Sequence, residues 1–186
     1  QPEIARQLTL LLNDERTVVE HIKGRETVSE RAWFKLLDLP PTAVRSILTE
    51  LPKLETDLAR AKAFEAVSRI GRPDRGAYEK TLPFCTHDHV YLRSRAISAL
   101  NAVADDDDES VLQFGKLPRI IELLDDDSDV YIAISNHFSL PEKLRGRAAR
   151  LLAKTGPDAS DAMPKLESLT GPDYNKNVRI WSATAI

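Results

Sequence analysis

One nine-residue phrase is written four times in this chain. It reads ARAKAFEAV at residues 59–67, LRSRAISAL at 92–100, LRGRAARLL at 144–152 and VRIWSATAI at 178–186. Each copy places an arginine (Arg60, Arg93, Arg145, Arg179) after a small or aliphatic residue. A small residue follows three positions later (Ala63, Ala96, Ala148, Ser182) and an aliphatic one seven positions later (Val67, Leu100, Leu152, Ile186). Offsets of three and seven fall on one face of an α-helix. Four copies of one amphipathic face imply units that cannot each bury it alone and must stack on one another. A stack of this kind builds an extended surface rather than an enclosed pocket.

The intervals between the arginines are 33, 52 and 34 residues. The two shorter ones fit a helix pair with its two turns. The longer one is accounted for by two insertions, one in the acidic loop at 105–110 and a longer one near 128–140. A second helix recurs as well, since Leu117-Pro118-Arg119-Ile120-Ile121-Glu122-Leu123-Leu124 matches Met163-Pro164-Lys165-Leu166-Glu167-Ser168-Leu169-Thr170. Proline sits in the first turn of both, where its missing N–H costs nothing. In the unit that begins near Leu58 the second helix is expected over 76–82. Gly71 and Gly156, each eleven residues after a repeated arginine, are expected to close the first helices.

Upstream of Leu51 the phrase is lost. Ile4, Leu8, Leu11, Val18 and Ile22 keep a spacing of three to four broken by Glu15, which predicts one long helix, or two interrupted near Asn13-Asp14. Further helices are predicted over 28–37, with Trp33, Phe34, Leu36 and Leu37, and over 41–51, opening on Pro41. We read 1–55 as divergent N-terminal helices, a cap, and 56–186 as the repeat array within a single α-solenoid. Residues 130–134 come nearest to an alternating pattern and are read as helix or loop. The expected class is all-α, an α-α superhelix of stacked antiparallel helix pairs. Residues 178–186 read as a first helix without its partner, and the chain opens on Gln1, so the array is expected to continue beyond this stretch.

Composition narrows the partner. Lys and Arg number 26 against 29 Asp and Glu, a net charge of −3, and acidic clusters lie at 105–109 and 125–129. Binding to a phosphate backbone calls for a basic face, so nucleic acid is disfavoured. No run of about 18 apolar residues marks a membrane span. One cysteine, Cys85, excludes an internal disulfide and fits a reducing, cytoplasmic compartment.

These residues resemble HEAT repeats, the two-helix units of armadillo-like solenoids, and the stretch from Gly156 to Ile186 is especially similar to bacterial versions. The resemblance rests on Asp88-His89-Val90-Tyr91-Leu92-Arg93 and Asn175-Lys176-Asn177-Val178-Arg179, on the alanine-rich first helix, and on the Gly-Pro-Asp-Ala turn at 156–159. It covers roughly 56–186. It implies that the repeated arginines pair with a loop aspartate of a neighbouring unit, for which Asp74, Asp88 and Asp173 are available. It also implies a protein-binding scaffold whose second helices line the concave face. Contact candidates on that face are Lys80, Lys116, Arg119, Glu122, Lys165 and Glu167, whose mixed signs suit a protein or peptide better than a polyanion.

Other groups are weighed on their chemistry. Tyr131, His137 and Phe138 fall in the insertion near 128–140, and loops that interrupt a regular scaffold often carry function, so they join the partner-contact candidates. Cys85, His87 and His89 offer zinc-type ligands, but no second ligand pair accompanies them, and an ordinary turn is the stronger reading. The acidic clusters lack the spaced pattern of a calcium loop. Trp181 occupies the slot held by Lys62, Arg95 and Arg147 in the other copies. No glycine-rich phosphate loop, His-Glu-x-x-His or Gly-x-Ser-x-Gly is present, so neither an enzyme nor a cofactor is expected. The alternatives kept beside the scaffold are a HEAT-like enzyme, of the solenoid DNA-base glycosylase or chromophore lyase type, and a nucleic-acid-binding module.

Overall fold

The computed structural model describes residues 2–21, 24–71, 76–103, 118–135 and 138–186. Helices α1 (Pro2–Leu10), α2 (Val28–Leu37), α3 (Val44–Glu50), α4 (Asp57–Ile70) and α5 (Gly76–Thr81) build its first half. Helices α6 (Val90–Val103), α7 (Pro118–Glu122), α8 (Leu144–Ala153), α9 (Met163–Ser168) and α10 (Lys176–Ala185) build the second. They stack in two layers. The first-helix layer runs α2, α4, α6, α8, α10, each packed on the next, and in the other layer α1 packs on α3 and α3 on α5. The fold is an all-α superhelix.

The repeated phrase sets the inner face of the first-helix layer. In α4 the buried residues are 59, 61, 63, 64, 66 and 67; in α6 they are 92, 94, 96, 97, 99 and 100. In α8 positions 144, 146, 148, 149, 151 and 152 recur in the same register, with Arg147 added, and in α10 Val178, Ser182 and Ala185 keep it. Phe64, Ile97, Leu100 and Leu151 are fully enclosed, each worth about 1.5–3 kcal/mol of apolar burial. The small residues between them let the helices approach closely. A Cβ added at Gly146 would meet the Val178 side chain at 3.4 Å.

Local signals fix the ends. Thr27 and Glu30 form a reciprocal capping box at the start of α2. The Thr56 hydroxyl accepts the Ala59 N–H at 3.1 Å at the start of α4. Gly71 closes α4 with φ at 71°, a left-handed backbone that only glycine adopts at no cost. Gly156 does not do the same for α8. That helix closes on Lys154 in the right-handed region, and Gly156 opens a 3-10 segment instead.

Two sequence readings are corrected. The helical pattern from Ile4 to Ile22 stops at a 3-10 turn, Leu11–Asn13, and Asp14 turns extended. A hairpin follows, β1 (Thr17–His21) with β2 (Gly24–Thr27). Residues 130–134, read as helix or loop, lie in β3 (Asp129–Ser135), which pairs antiparallel with β4 (Phe138–Lys143). Both stretches are dense in β-branched residues, whose stiff side chains favour extended backbone over a helix turn. Spacing alone could not separate the two because Val18 and Ile22 satisfy a helical period by coincidence. Pro141 is tolerated in β4 because a two-stranded ribbon has only edges.

The hairpins leave the stack at equivalent points. The Val28 N–H donates to Arg16 O at 2.9 Å and the Ser29 N–H to Asp14 O at 2.8 Å. At the second site the Leu144 N–H donates to Ser128 O at 3.0 Å and the Arg145 N–H to Asp126 O at 3.1 Å.

Candidate functional site

The repeated arginines face the same way but end in different partners. Arg60, Arg93 and Arg179 are each the fourth residue of their helix, whereas Arg145 is the second of α8, because β4 replaces the first turn. Arg93 pairs with Asp126 of the following unit at 2.8 Å and also donates to the His87 and Asp88 carbonyls. Arg60 pairs within its own helix, with Asp57 at 2.9 Å, and Arg145 with Asp127 at 2.9 Å. Arg93 thus pairs with a loop aspartate of a neighbouring unit, as the resemblance implies, but that aspartate is Asp126 and not Asp88. Asp88 supplies a backbone oxygen, Asp173 is exposed, and Asp74 lies outside the described residues. Arg179 is exposed.

The acidic cluster at 125–129 is an ion-pair network. Asp125 pairs with Lys165, Asp126 with Arg93, Asp127 with Lys143 and Arg145, and Asp129 with Lys143 at 3.0 Å. Burial opposes the charge of Asp126. Hydrogen bonds from the Ser128 hydroxyl and N–H and the Arg93 guanidinium outweigh it, so the carboxyl is held below its ordinary value. The cluster at 105–109 lies outside the described residues.

Cys85, His87 and His89 do not converge. The Cys85 thiol is buried and contacts the Thr81 carbonyl, and burial pushes it well above its ordinary value, with the Arg119 charge opposing that shift. His87 stacks on Phe84 and lies 3.7 Å from Asp57, while its Nδ1 accepts the His89 N–H. His89 is exposed.

Among the partner-contact candidates, Lys80, Arg119, Glu122 and Glu167 are exposed on the short second helices. Lys80 donates to the Thr49 hydroxyl at 2.6 Å, linking α5 to α3. Lys165 is half-buried and held by Asp125, so its charge is already used. Tyr131 lies in β3, opposite Pro141, and Phe138 opens β4, opposite Ser135. Lys116 and His137 lie outside the described residues.

A feature the sequence reading passed over lies on the first-helix layer. A cleft of about 330 Å³ opens between α4, α6, α8 and β4, lined by Ser68, Arg95, Ser98, Asn101, Ala102, Glu142, Arg147 and Arg150. Arg147 is its floor. Its Nε donates to Glu142 at 2.7 Å and its Nη1 to the Ser94 hydroxyl at 2.8 Å, with the Ser98 hydroxyl also in reach, and both charged side chains are about nine-tenths buried. Arg95 stacks over Tyr91 at 4.9 Å and lies 3.7 Å from Glu65, while its Nε is enclosed without a hydrogen-bond partner. Arg150 stacks over Trp181 at 4.9 Å. The available signal was the slot two residues after the first three repeated arginines, which holds Lys62, Arg95 and Arg147.

No protein-family model matches the chain, and no curated protein matches it. Solved structures do. The crystal structure of one engineered protein from the Northeast Structural Genomics Consortium aligns with a TM-score of 0.64 at 22% identity, over 97% of this chain and 78% of its own. A second aligns at 0.61 and 16% identity, over 97% and 77%. A designed armadillo repeat protein in complex with the peptide (KR)4 aligns more loosely, at 0.42 and 14% identity, over 99% and 97%. At these identities the likeness is one of fold, a helical-repeat solenoid. Among the described residues no helix is long and apolar enough to cross a membrane.

Proposed function

We propose that this chain is a HEAT-type solenoid acting as a non-catalytic scaffold that binds a protein or peptide along its second-helix layer. The observation that carries the reading is the exposed, mixed-sign set Lys80, Arg119, Glu122 and Glu167, presented on successive short second helices. Mixed-sign charge on such a ridge selects a partner by complementary pattern and disfavours a uniform polyanion. The resemblance of 56–186 to HEAT repeats supports the same reading at the level of fold.

The test is selection of binders from a random peptide library. Peptides selected on the wild type are expected to lose tenfold or more in affinity for the variant Lys80→Glu/Arg119→Glu/Glu122→Lys/Glu167→Lys, at unchanged helicity. Unchanged affinity would remove the second-helix layer as the binding face.

A further inference from the structure

We propose that the cleft on the first-helix layer is a binding site for an oxyanion, a carboxylate or phosphate monoester, that carries an N–H or O–H donor beside it. The site lies on the opposite layer from the ridge Lys80–Glu167 and stands or falls independently of it.

Charge gives the first half of the argument. The lining holds three guanidiniums, Arg95, Arg147 and Arg150, against one carboxylate, Glu142. That carboxylate is committed to Arg147, which is further saturated by the Ser94 and Ser98 hydroxyls. Glu65, the other acid near the cleft, is shared between Arg69 at 3.1 Å and Arg95 at the looser 3.7 Å. Arg95 and Arg150 therefore bring cationic forks to the cleft that the fold does not fully use. Their planes are held against Tyr91 and Trp181. A guanidinium fixed by an aromatic ring is pre-organised for bidentate pairing with a carboxylate or phosphate.

Polar satisfaction gives the second half. Two enclosed atoms on lining residues have no hydrogen-bond partner, the Arg95 Nε and the Asn101 Oδ1. Leaving such enclosed groups unpaired is costly, because each has given up its hydrogen bond to water. They are opposite in kind, because Nε can only donate and Oδ1 can only accept. The Asn101 amide is not free to swap them, since its Nδ2 already donates to the Ile97 carbonyl at 3.1 Å and the Arg147 carbonyl at 3.3 Å. A simple anion would satisfy Arg95 and leave Asn101 unpaired. A ligand with an anionic oxygen and an adjacent donor satisfies both, and the Ser68 and Ser98 hydroxyls line the same space.

Two sources share this chemistry: an acidic residue of a peptide, whose backbone N–H lies beside its carboxylate, and a small hydroxylated phosphate ester. The test titrates the whole chain with inorganic phosphate, glycerol 3-phosphate and N-acetylaspartate amide. Binding is followed through the arginine Nε–H resonances by NMR, at low and at physiological salt. We expect saturable shifts at Arg95 and Arg150. At least one of the two donor-bearing probes should bind fivefold or more tighter than inorganic phosphate, and the tighter of the two names the source. Arg95→Gln should abolish binding, and Arg150→Gln, at an exposed residue that stacks on the Trp181 ring, should weaken it several-fold without touching the fold. No shift at Arg95 up to about 10 mM probe, or binding that survives both substitutions, would overturn the site. Inorganic phosphate binding as tightly as the others would overturn the role of Asn101.

Discussion

At Asp14 and again at Asp126 the chain leaves a 3-10 turn, runs out and back as a hairpin, and re-enters the first-helix layer through the same two backbone hydrogen bonds. The side chains at the two junctions do different things. Asp14 is held by Arg16, two residues away and largely exposed, and the hydrogen bonds from that residue hold its carboxyl below the ordinary value. Asp126 reaches Arg93, 33 residues back in the preceding unit, and Glu142 of the same hairpin is bonded to Arg147, which in turn reaches Ser94 and Ser98 of α6. One backbone device is thus used twice, once as a local excursion and once as a clamp between neighbouring units. Inserting a hairpin requires only the latch, whereas coupling it to the stack requires charged side chains in reach of the next helix.

The largest expected effect lies at the clamp. Glu142→Ala leaves the Arg147 guanidinium buried without its carboxylate, and urea unfolding should show a loss of about 3–5 kcal/mol. The double variant Glu142→Leu/Arg147→Met should recover much of that loss, since an apolar pair of similar volume removes the buried charge altogether. A loss under about 1 kcal/mol for Glu142→Ala would mean that the second hairpin is as loosely attached as the first.

Arg93→Ala comes next, expected at about 1.5–3 kcal/mol because the guanidinium makes charge-assisted bonds to Asp126 and two carbonyls. Its partner supplies a pH signature. Asp126 titrates lower in the folded chain than the ordinary value of about 3.9. Its contribution is therefore complete above that value and disappears as pH falls through the folded one. Asp126→Asn should flatten the acid limb of the stability profile in that window. An unchanged acid limb would break the assignment.

The smallest effect is expected at the first junction. Asp14→Asn should leave the melting temperature within error of the wild type, because its partner is exposed and adjacent in sequence. If Asp14→Asn and Asp126→Asn were equally costly, the contrast between the junctions would not hold. Replacing residues 128–140 by a short turn tests the same contrast as a whole segment. Circular dichroism should retain most of the helicity, because α6 and α8 pack directly on each other beneath the hairpin.

Much of the solenoid was legible because its unit is short-range. The helices over 28–37, 57–70 and 90–103, the proline-opened second helices at Pro118 and Met163-Pro164, and the glycine closure at Gly71 all follow from residues within two turns of one another. The hairpins were not legible. Val18 and Ile22 mimic a helical period, and residues 130–134 alternate over too few positions to separate a strand from a loop. Arg95 and Arg147 were visible as cations in a repeated slot, with Arg150 one turn further along α8, but nothing in the one-dimensional pattern says that Glu142 quenches one of them and leaves the others facing a cleft.

What the sequence determined by itself is which side of each first helix is buried, because a 3.6-residue period converts covalent order directly into a face, and the same positions are enclosed in α4, α6 and α8. What only the tertiary structure decided is where the charges go. Arg93 finds Asp126 and not Asp88, and Arg145 loses the first turn of its helix to β4. Those outcomes depend on the offset between stacked helices and on where a hairpin re-enters, distances of a few ångströms set by packing that no spacing along the chain encodes.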